Sequence, residues 1–177
     1  MKKPHTTPTN NETILKDGEF IVSKTDTKSK ILYGNEYFIS ISGWSEEELI
    51  GKPHNILRHP DMPQCGFKFL YDLIENGEEF FGFVKNLKKD GGYYWVFANI
   101  TPSFDESGKI VGYYSVRRKP RDGFKSIIEP LYKKLKELEE TGGMNASCEA
   151  VENLLKQNNL SFNELMLGIQ KGVINEL

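Results

Sequence analysis

The segment from 55 to 67, NILRHPDMPQCGF, brings together side chains whose types and spacing could do chemistry. Arg58 offers a planar fork of donors that suits a diphosphate or a carboxylate. His59 and Asp61 could exchange a proton, but no nucleophile in a recognisable elbow accompanies them, so hydrolysis is not expected and the chain is not predicted to be an enzyme. The two prolines of the segment restrict its backbone and hold these side chains in place.

Two other interpretations of this segment stay open on the residues alone. In the structural one it is a stiff corner, in which Asp61 caps the next helix and Arg58 pairs with Asp61. In the other, His54, His59 and Cys65 hold a metal, but their spacing matches neither a zinc nor an iron site. No metal site is therefore predicted.

The composition describes the kind of protein that surrounds this segment. The chain has 177 residues, of which 38% are hydrophobic and 27% charged, with a net charge of −2. These values suit a globular protein with one core and an appendage, and they exclude a general attraction to nucleic acid or anionic lipid. No apolar run is long enough to cross a bilayer, and the polar start lacks the core of a signal peptide. Two distant cysteines suit a reducing cytoplasm.

The elements that position the segment follow from periodicity and capping residues. Strands at 18–26 and 30–32 are predicted to form a hairpin. Asn35 can cap a short helix that Gly43 ends. A longer helix is predicted over 64–76, because apolar side chains recur on one face: Phe67, Leu70, Tyr71 and Ile74.

Three further strands are predicted at 79–89, 93–104 and 109–119, joined by turns with the sequences DGG and DESG. The middle strand is apolar on both faces, so both faces of the sheet must be covered. The sequence therefore predicts an α+β fold, with a five-stranded antiparallel sheet, short helices on one face and further helices at the C-terminal end.

The C-terminal region carries apolar residues spaced by four and three, as in a coiled-coil seam of about two heptads. Because Pro130 lies inside the seam, the helix is expected to begin near it. The glycines at 142–143 should break this helix, and further helices are predicted at 146–157 and after Ser161. The seam residues are Phe124, Ile128, Leu131, Leu135 and Leu138.

This order of elements resembles a PAS sensor domain over residues 18–120. The strings SGWSEEELIGKPHNILRHPDMP and VKNLKKDGGYYWVFANITP are similar to one branch in particular, the flavin-binding PAS domains of aerotaxis and energy-taxis receptors. We therefore expect a flexible N-terminus at 1–12, a PAS sensor domain at 13–120 and a C-terminal helical region at 121–177 for output or dimerisation.

The resemblance implies a noncovalent FAD whose redox state follows electron transport. Its positions point to seven cofactor-binding residues: Asn35, His54, Arg58, His59, Asp61, Phe81 and Asn86. Asn35 matches the helix-capping asparagine of the family, and Phe81 stands where many members of the branch carry tryptophan. Light-sensing flavin domains use an asparagine at the position of Asn86, and they place a reactive cysteine where this chain has Asn55. No light-driven cysteinyl adduct is therefore expected.

The function implied is a cytoplasmic redox or energy sensor that signals through its C-terminal helices to a separate chemotaxis-type transducer. This partner is expected to be a membrane-bound taxis receptor or another signalling protein. Because PAS domains commonly pair, a homodimer through the coiled-coil seam is favoured over packing of the seam on the chain's own sheet. Neither nucleic-acid binding nor direct membrane insertion is expected.

Two alternatives to the FAD sensor stay open. Other PAS branches bind haem b, and His54 or His59 could ligate its iron in a gas sensor. The chain could also be a cofactor-free dimerisation module, with its cleft filled by Phe81 and Phe83.

Overall fold

The computed structural model describes residues 6–177, in which five strands form one antiparallel sheet of order β2-β1-β5-β4-β3. Each strand pairs with its neighbours in antiparallel register. The predicted α+β fold with a five-stranded sheet is confirmed. The strands are β1 Ile21–Thr25, β2 Ile31–Gly34, β3 Phe80–Leu87, β4 Tyr93–Phe104 and β5 Ile110–Arg118.

Short helices connect β2 to β3 and lie on one face of the sheet. They are α1 Glu36–Ser42, α2 Glu46–Leu49, a 3₁₀ turn at His54–Leu57 and α3 Gln64–Glu75. Asn35 caps α1 as predicted, because its Oδ1 accepts a hydrogen bond from the Phe38 N–H at 3.0 Å. Gly43 ends α1 with a left-handed φ of 75°, which a residue without a Cβ adopts at little cost.

The C-terminal region consists of α4 Lys125–Asn158 and α5 Phe162–Lys171. Gly143 has φ 69° and ψ −172°, so α4 is two helical pieces joined at a kink, as the paired glycines predicted. The expectation that the helix begins near Pro130 is wrong, since it begins at Lys125. Pro130 is the sixth residue of the helix, so it removes one backbone hydrogen bond and its ring crowds the carbonyl four residues earlier. The burial of Ile127 and Ile128, which are 6% and 0% exposed, outweighs that loss.

The predicted coiled-coil seam packs inside its own chain, and its first residue lies on the sheet. The Phe124 ring stacks on Phe83 of β3 at 5.2 Å between centroids, and the Tyr132 hydroxyl donates to the Phe83 carbonyl at 2.7 Å. Ile128 and Leu135 are buried in the same cluster. A dimer through this seam was favoured, and that expectation is wrong, because its side chains pack inside their own chain. Phe124 lies on β3, whereas Leu131 and Leu135 lie against residues of α3, the second piece of α4 and α5. The prediction that both faces of the sheet are covered is confirmed at β4.

The segment before β1 runs beside the β3–β4 hairpin. The Thr9 N–H donates to the Gly91 carbonyl at 2.8 Å, and the Tyr93 N–H donates to the Asn11 carbonyl at 2.9 Å. The flexible terminus predicted at 1–12 falls partly on residues 1–5, which lie outside the described residues, and the described remainder is held by these bonds. Among residues 6–177, no helix combines the length and the apolar character needed to cross a membrane.

Candidate functional site

A cavity of about 210 Å³ lies between α3 and the sheet. Strand alternation turns Val84 of β3 and Ala98 of β4 toward it. The four residues of the predicted apolar face of α3 all border it: Phe67, Leu70, Tyr71 and Ile74. The cavity is therefore bounded by apolar side chains from a helix on one side and from strands on the other, which suits a flat, largely apolar ligand.

Arg117 of β5 lines this cavity and is 2% exposed. Its Nε donates to the Ser115 hydroxyl at 2.9 Å, and its Nη2 donates to the Ser23 hydroxyl. Its Nη1 is buried without a hydrogen-bond partner among the described residues. Burial lowers the pKa of Arg117 to about 10, and no carboxylate of the described chain forms an ion pair with it. A cation with one donor that lacks an acceptor among the described residues thus borders the cavity.

His54 also borders the cavity, and its contact with Arg117 determines which ring nitrogen of His54 carries the proton. Its Nε2 lies 3.2 Å from Nη2 of Arg117, which can only donate, so the imidazole carries its proton on Nδ1. Burial and the positive charge of Arg117 lower the pKa of His54 to about 3. The ring stacks on Phe38 at 5.9 Å. His54 is therefore a neutral acceptor that orients Arg117, and the lone pair on its Nε2 is already engaged by this contact.

Arg58 and Asn86 join the same cavity at adjacent backbone positions, because the two residues form an isolated antiparallel bridge. The Arg58 guanidinium lies over the Phe67 ring at 4.0 Å, a cation–π contact. Burial lowers the pKa of Arg58. Asn86 is 4% exposed, and its Nδ2 has no well-formed hydrogen bond among the described residues. Its cross-strand neighbour is the buried Tyr94, whose pKa is raised by burial and lowered by Asn86. Among the described residues, Arg117, Arg58 and Asn86 therefore each bring to this cavity a buried donor without a well-formed hydrogen bond.

His59 and Asp61 lie beside the cavity but do not line it. The His59 Nδ1 accepts from the Asp61 N–H at 3.2 Å, and the His59 ring meets Tyr93 edge-on at 5.8 Å. The exposed Asp61 carboxylate forms an ion pair with Lys85 at 2.6 Å. Burial and the charge of Lys85 lower the pKa of His59 to about 4, against the opposing effect of Asp61. These two residues hold a stiff corner that fixes the backbone next to Arg58.

Asn35 and Phe81, the other two predicted site residues, lie elsewhere. Asn35 is occupied with capping α1. Phe81 lies on the opposite face of the sheet, where its ring stacks on Phe97 at 6.1 Å. Phe83 faces the same way. The expectation that Phe81 and Phe83 fill a cofactor-free cleft is therefore wrong, because both rings belong to the core under α4 and α5.

Sequence reasoning missed Arg117, Ser115 and Ser23. A signal was present in the string GYYSVRRKP, because a charged residue falls on the same strand face as Tyr113 and Ser115. A cation at an inward position of a strand is rare, because charged side chains are almost never fully buried without a partner, and this makes it a candidate for a functional site.

The opening of the cavity is spanned by a contact between α3 and the β1–β2 turn. The hydroxyl groups of Tyr71 and Ser29 lie 3.0 Å apart, and both residues line the cavity. Tyr71 is 38% exposed, which places this hydrogen bond at the solvent side. Among the described residues, no three His, Cys, Asp or Glu side chains are grouped so that they could hold a metal ion.

Comparison with known proteins gives a family and several relatives. A family model described as the PAS fold matches residues 31–117. The aerotaxis receptor of Escherichia coli is 43% identical over 131 residues, which are 74% of this chain and 26% of that receptor. The chain thus spans about a quarter of the length of this relative.

Solved structures share the fold at low sequence identity. A light-oxygen-voltage domain studied with a flavin analogue is 23% identical with a TM-score of 0.54, covering 67% of this chain and 87% of that one. The light-oxygen-voltage domain of the blue-light photoreceptor Aureochrome1 is 20% identical with a TM-score of 0.52, covering 68% and 83%.

Proposed function

Residues 31–117 of this chain belong to the PAS fold family, and on that premise we propose that the protein is a redox sensor that binds noncovalent FAD. The flavin ring would occupy the cavity between α3 and the sheet. The 43% identity to an aerotaxis receptor supports a sensor of respiratory or metabolic redox state. The proposal keeps His54, Arg58 and Asn86 as cofactor-binding residues and adds Arg117.

The observation that carries this proposal is the buried Arg117, whose Nη1 has no partner within residues 6–177. A buried cation without an anionic partner costs free energy, so it suits a ligand that brings acceptor atoms or negative charge. The isoalloxazine ring has apolar faces and one edge of alternating donors and acceptors. The apolar walls fit its faces, while Arg117 and the Asn86 amide fit its polar edge.

Bound flavin would supply reversible electron transfer coupled to changes in charge and protonation at the polar edge of its ring. Arg117 would favour negative charge there. The neutral His54 would hold Arg117 in place without competing for that charge. The Asn86 amide carries both a donor and an acceptor, so it can serve either protonation state by rotating. Tyr71 and Ser29 would limit the entry of water.

The haem alternative has weaker support in this geometry. The Nε2 of His54 already accepts from Arg117 at 3.2 Å, and iron there would lie next to a positive charge. His59 does not line the cavity, and its Nδ1 accepts from the Asp61 backbone. A cofactor-free module would leave the buried donors of Arg117 and Asn86 without acceptors.

For output we propose that the helices after residue 120 transmit the redox state to a separate chemotaxis-type transducer in the cytoplasm. Contacts of α4 with α3, and of α5 with β3, connect those helices to the cavity walls. A homodimer is part of this proposal, but it must use a surface other than the seam between Phe124 and Leu138.

The test is the absorbance spectrum of freshly purified protein before and after dithionite. Twin flavin bands that bleach on reduction, with FAD released on boiling, are the expected result. A sharp Soret band would replace flavin with haem. A colourless protein that stays colourless after incubation with FAD would overturn the proposal.

A further inference from the structure

Glu139 of α4 is a buried carboxylate that contacts a distant helix. Its side chain is 2% exposed. Its Oε1 accepts hydrogen bonds from the backbone N–H groups of Gln64 at 2.5 Å and Cys65 at 3.2 Å, which are the first two residues of α3. The N-cap position of α3 is Pro63, which has no side chain able to cap. The carboxylate from α4 therefore takes the place of the missing cap.

The position of this carboxylate has a clear electrostatic reason. The first N–H groups of a helix lack intrahelical partners, and the N-terminal end of the helix dipole favours negative charge. The buried charge of Glu139 is also balanced by the Ser147 hydroxyl at Oε1 and by an ion pair with Lys136, whose Nζ lies 3.7 Å from Oε2; among the described residues, Oε2 itself accepts no hydrogen bond. The free energy of burying this carboxylate therefore depends on whether the start of α3 stays within hydrogen-bonding distance of it.

The same oxygen also joins the two pieces of α4. The Ser147 hydroxyl lies 3.0 Å from Oε1 and 2.9 Å from the Met144 carbonyl, so its single proton is donated to one or the other, and Ser147 lies beyond the kink at Gly143. One atom thus contacts the start of α3 and both halves of α4. A shift of α3 along its axis must lengthen its bonds to Glu139 or pull Glu139 away from Ser147.

The start of α3 is also connected to the cavity. Phe67 lies in the first turn of α3, borders the cavity and carries the Arg58 guanidinium on its ring at 4.0 Å. The charge of Glu139 opposes the lowering of the pKa of Arg58, so the carboxylate acts on the cavity electrostatically as well. Two routes, one through packing and one through charge, therefore lead from Glu139 to the ligand site.

We propose that Glu139 is a positioning residue that couples the cavity to the C-terminal helices by capping α3 from α4. A ligand that moves α3 changes how firmly Glu139 holds Ser147, and the C-terminal helices act on ligand affinity by the same factor, because coupling is reciprocal. The identity of the ligand as flavin rests on the function proposed above, whereas the coupling between α3 and α4 does not.

The first test compares FAD binding by Glu139→Ala, Glu139→Gln and the control Glu140→Ala, an exposed neighbour in the same helix. We expect the dissociation constant to rise at least about fivefold in Glu139→Ala, the lower end of the usual range for coupled sites. Glu139→Gln keeps an acceptor but loses the charge, so its dissociation constant for FAD should rise less than that of Glu139→Ala. The flavin absorbance bands of Glu139→Gln should shift. A folded Glu139→Gln with the affinity and spectrum of the wild type would overturn the proposal, even if Glu139→Ala does not fold.

The second test needs no flavin. Ala98→Val extends a side chain into the cavity, and Val116→Ile, on the other face of the sheet, is its control. Amide hydrogen exchange at Gln64, Cys65 and Ser147 should speed up at least about threefold in Ala98→Val and stay unchanged in the control. Unchanged exchange in Ala98→Val would overturn the coupling. Faster exchange in a protein that binds no FAD would refute the proposed function and leave the coupling standing.

Discussion

Replacing Arg117 by methionine should weaken FAD binding without weakening the fold. Burial lowers the pKa of Arg117 to about 10, well below its ordinary value, which corresponds to roughly 3 kcal/mol of uncompensated charge burial at about 1.4 kcal/mol per tenfold change. Methionine has a similar length and no charge. The Ser23 and Ser115 hydroxyls lose a donor, but they can rotate to other partners. The free energy of unfolding of the ligand-free protein should therefore fall by no more than about 1 kcal/mol, or rise.

The affinity for FAD, by contrast, should fall clearly. A hydrogen bond from a charged donor contributes about 1.5–3 kcal/mol, so its loss should raise the dissociation constant roughly 10- to 150-fold. Arg118→Met is the matched control, because Arg118 is the exposed neighbour whose guanidinium lies over Phe97 on the other face at 5.6 Å. Its FAD affinity should stay within about twofold of the wild type.

The assay combines fluorescence titration of FAD with urea denaturation of the ligand-free variants. The reasoning is refuted if Arg117→Met binds FAD like the wild type while its unfolding free energy drops by several kcal/mol. In that case Arg117 would be a structural residue that organises Ser23, Ser115 and His54 for the fold alone.

Two further predictions concern His54 and Asn35. The pKa of His54 in the folded protein is about 3, below its ordinary 6.5, so between these values the unfolded chain binds more protons and stability falls as pH falls. Urea denaturation should show about 2 kcal/mol lost through His54 between pH 6.5 and 5, and His54→Gln should lose that much less; parallel profiles of variant and wild type would contradict this. Asn35→Ala removes bonds from the N–H groups of Phe38 and Val22, both at 3.0 Å, and should cost about 2 kcal/mol in urea denaturation while FAD affinity stays within about twofold. A tenfold loss of affinity at unchanged stability would instead make Asn35 a cofactor residue.

Local features of the chain were predictable because their causes are local. Asn35 and Gly43 mark the ends of α1, since a cap needs only the backbone two or three residues away. The five strands follow from alternation and turn residues. The paired glycines predicted the kink at 143. The start of α4 was predicted wrongly from Pro130. The energetic cost of a proline in a helix is visible in the sequence, whereas the burial of neighbouring side chains that outweighs this cost is not.

The candidate site was predictable only where a motif carries it. The segment around RHPD led to His54 and Arg58, and the hairpin led to Asn86, all of which line the cavity. Phe81 was predicted to bind a cofactor. Because neighbouring residues of a strand point to opposite faces of the sheet, a difference of one residue decides whether a side chain faces the cavity or the core on the other side. Sequence spacing does not say which face of β3 meets the cavity.

The sequence by itself determined the PAS fold class, the helix caps and the polar corner beside the cavity, because these depend on short-range periodicity and on a contiguous motif. Only the tertiary structure decided that Arg117 is a buried cation with no ion-pair partner in the described part of the chain, that the seam packs inside its own chain and that Glu139 caps α3. The Arg117 network joins β5 to β1 and to the turn at His54, and the Glu139 contact joins α4 to α3. Such contacts exist only once distant segments have packed, so their charges and partners cannot be read along the chain.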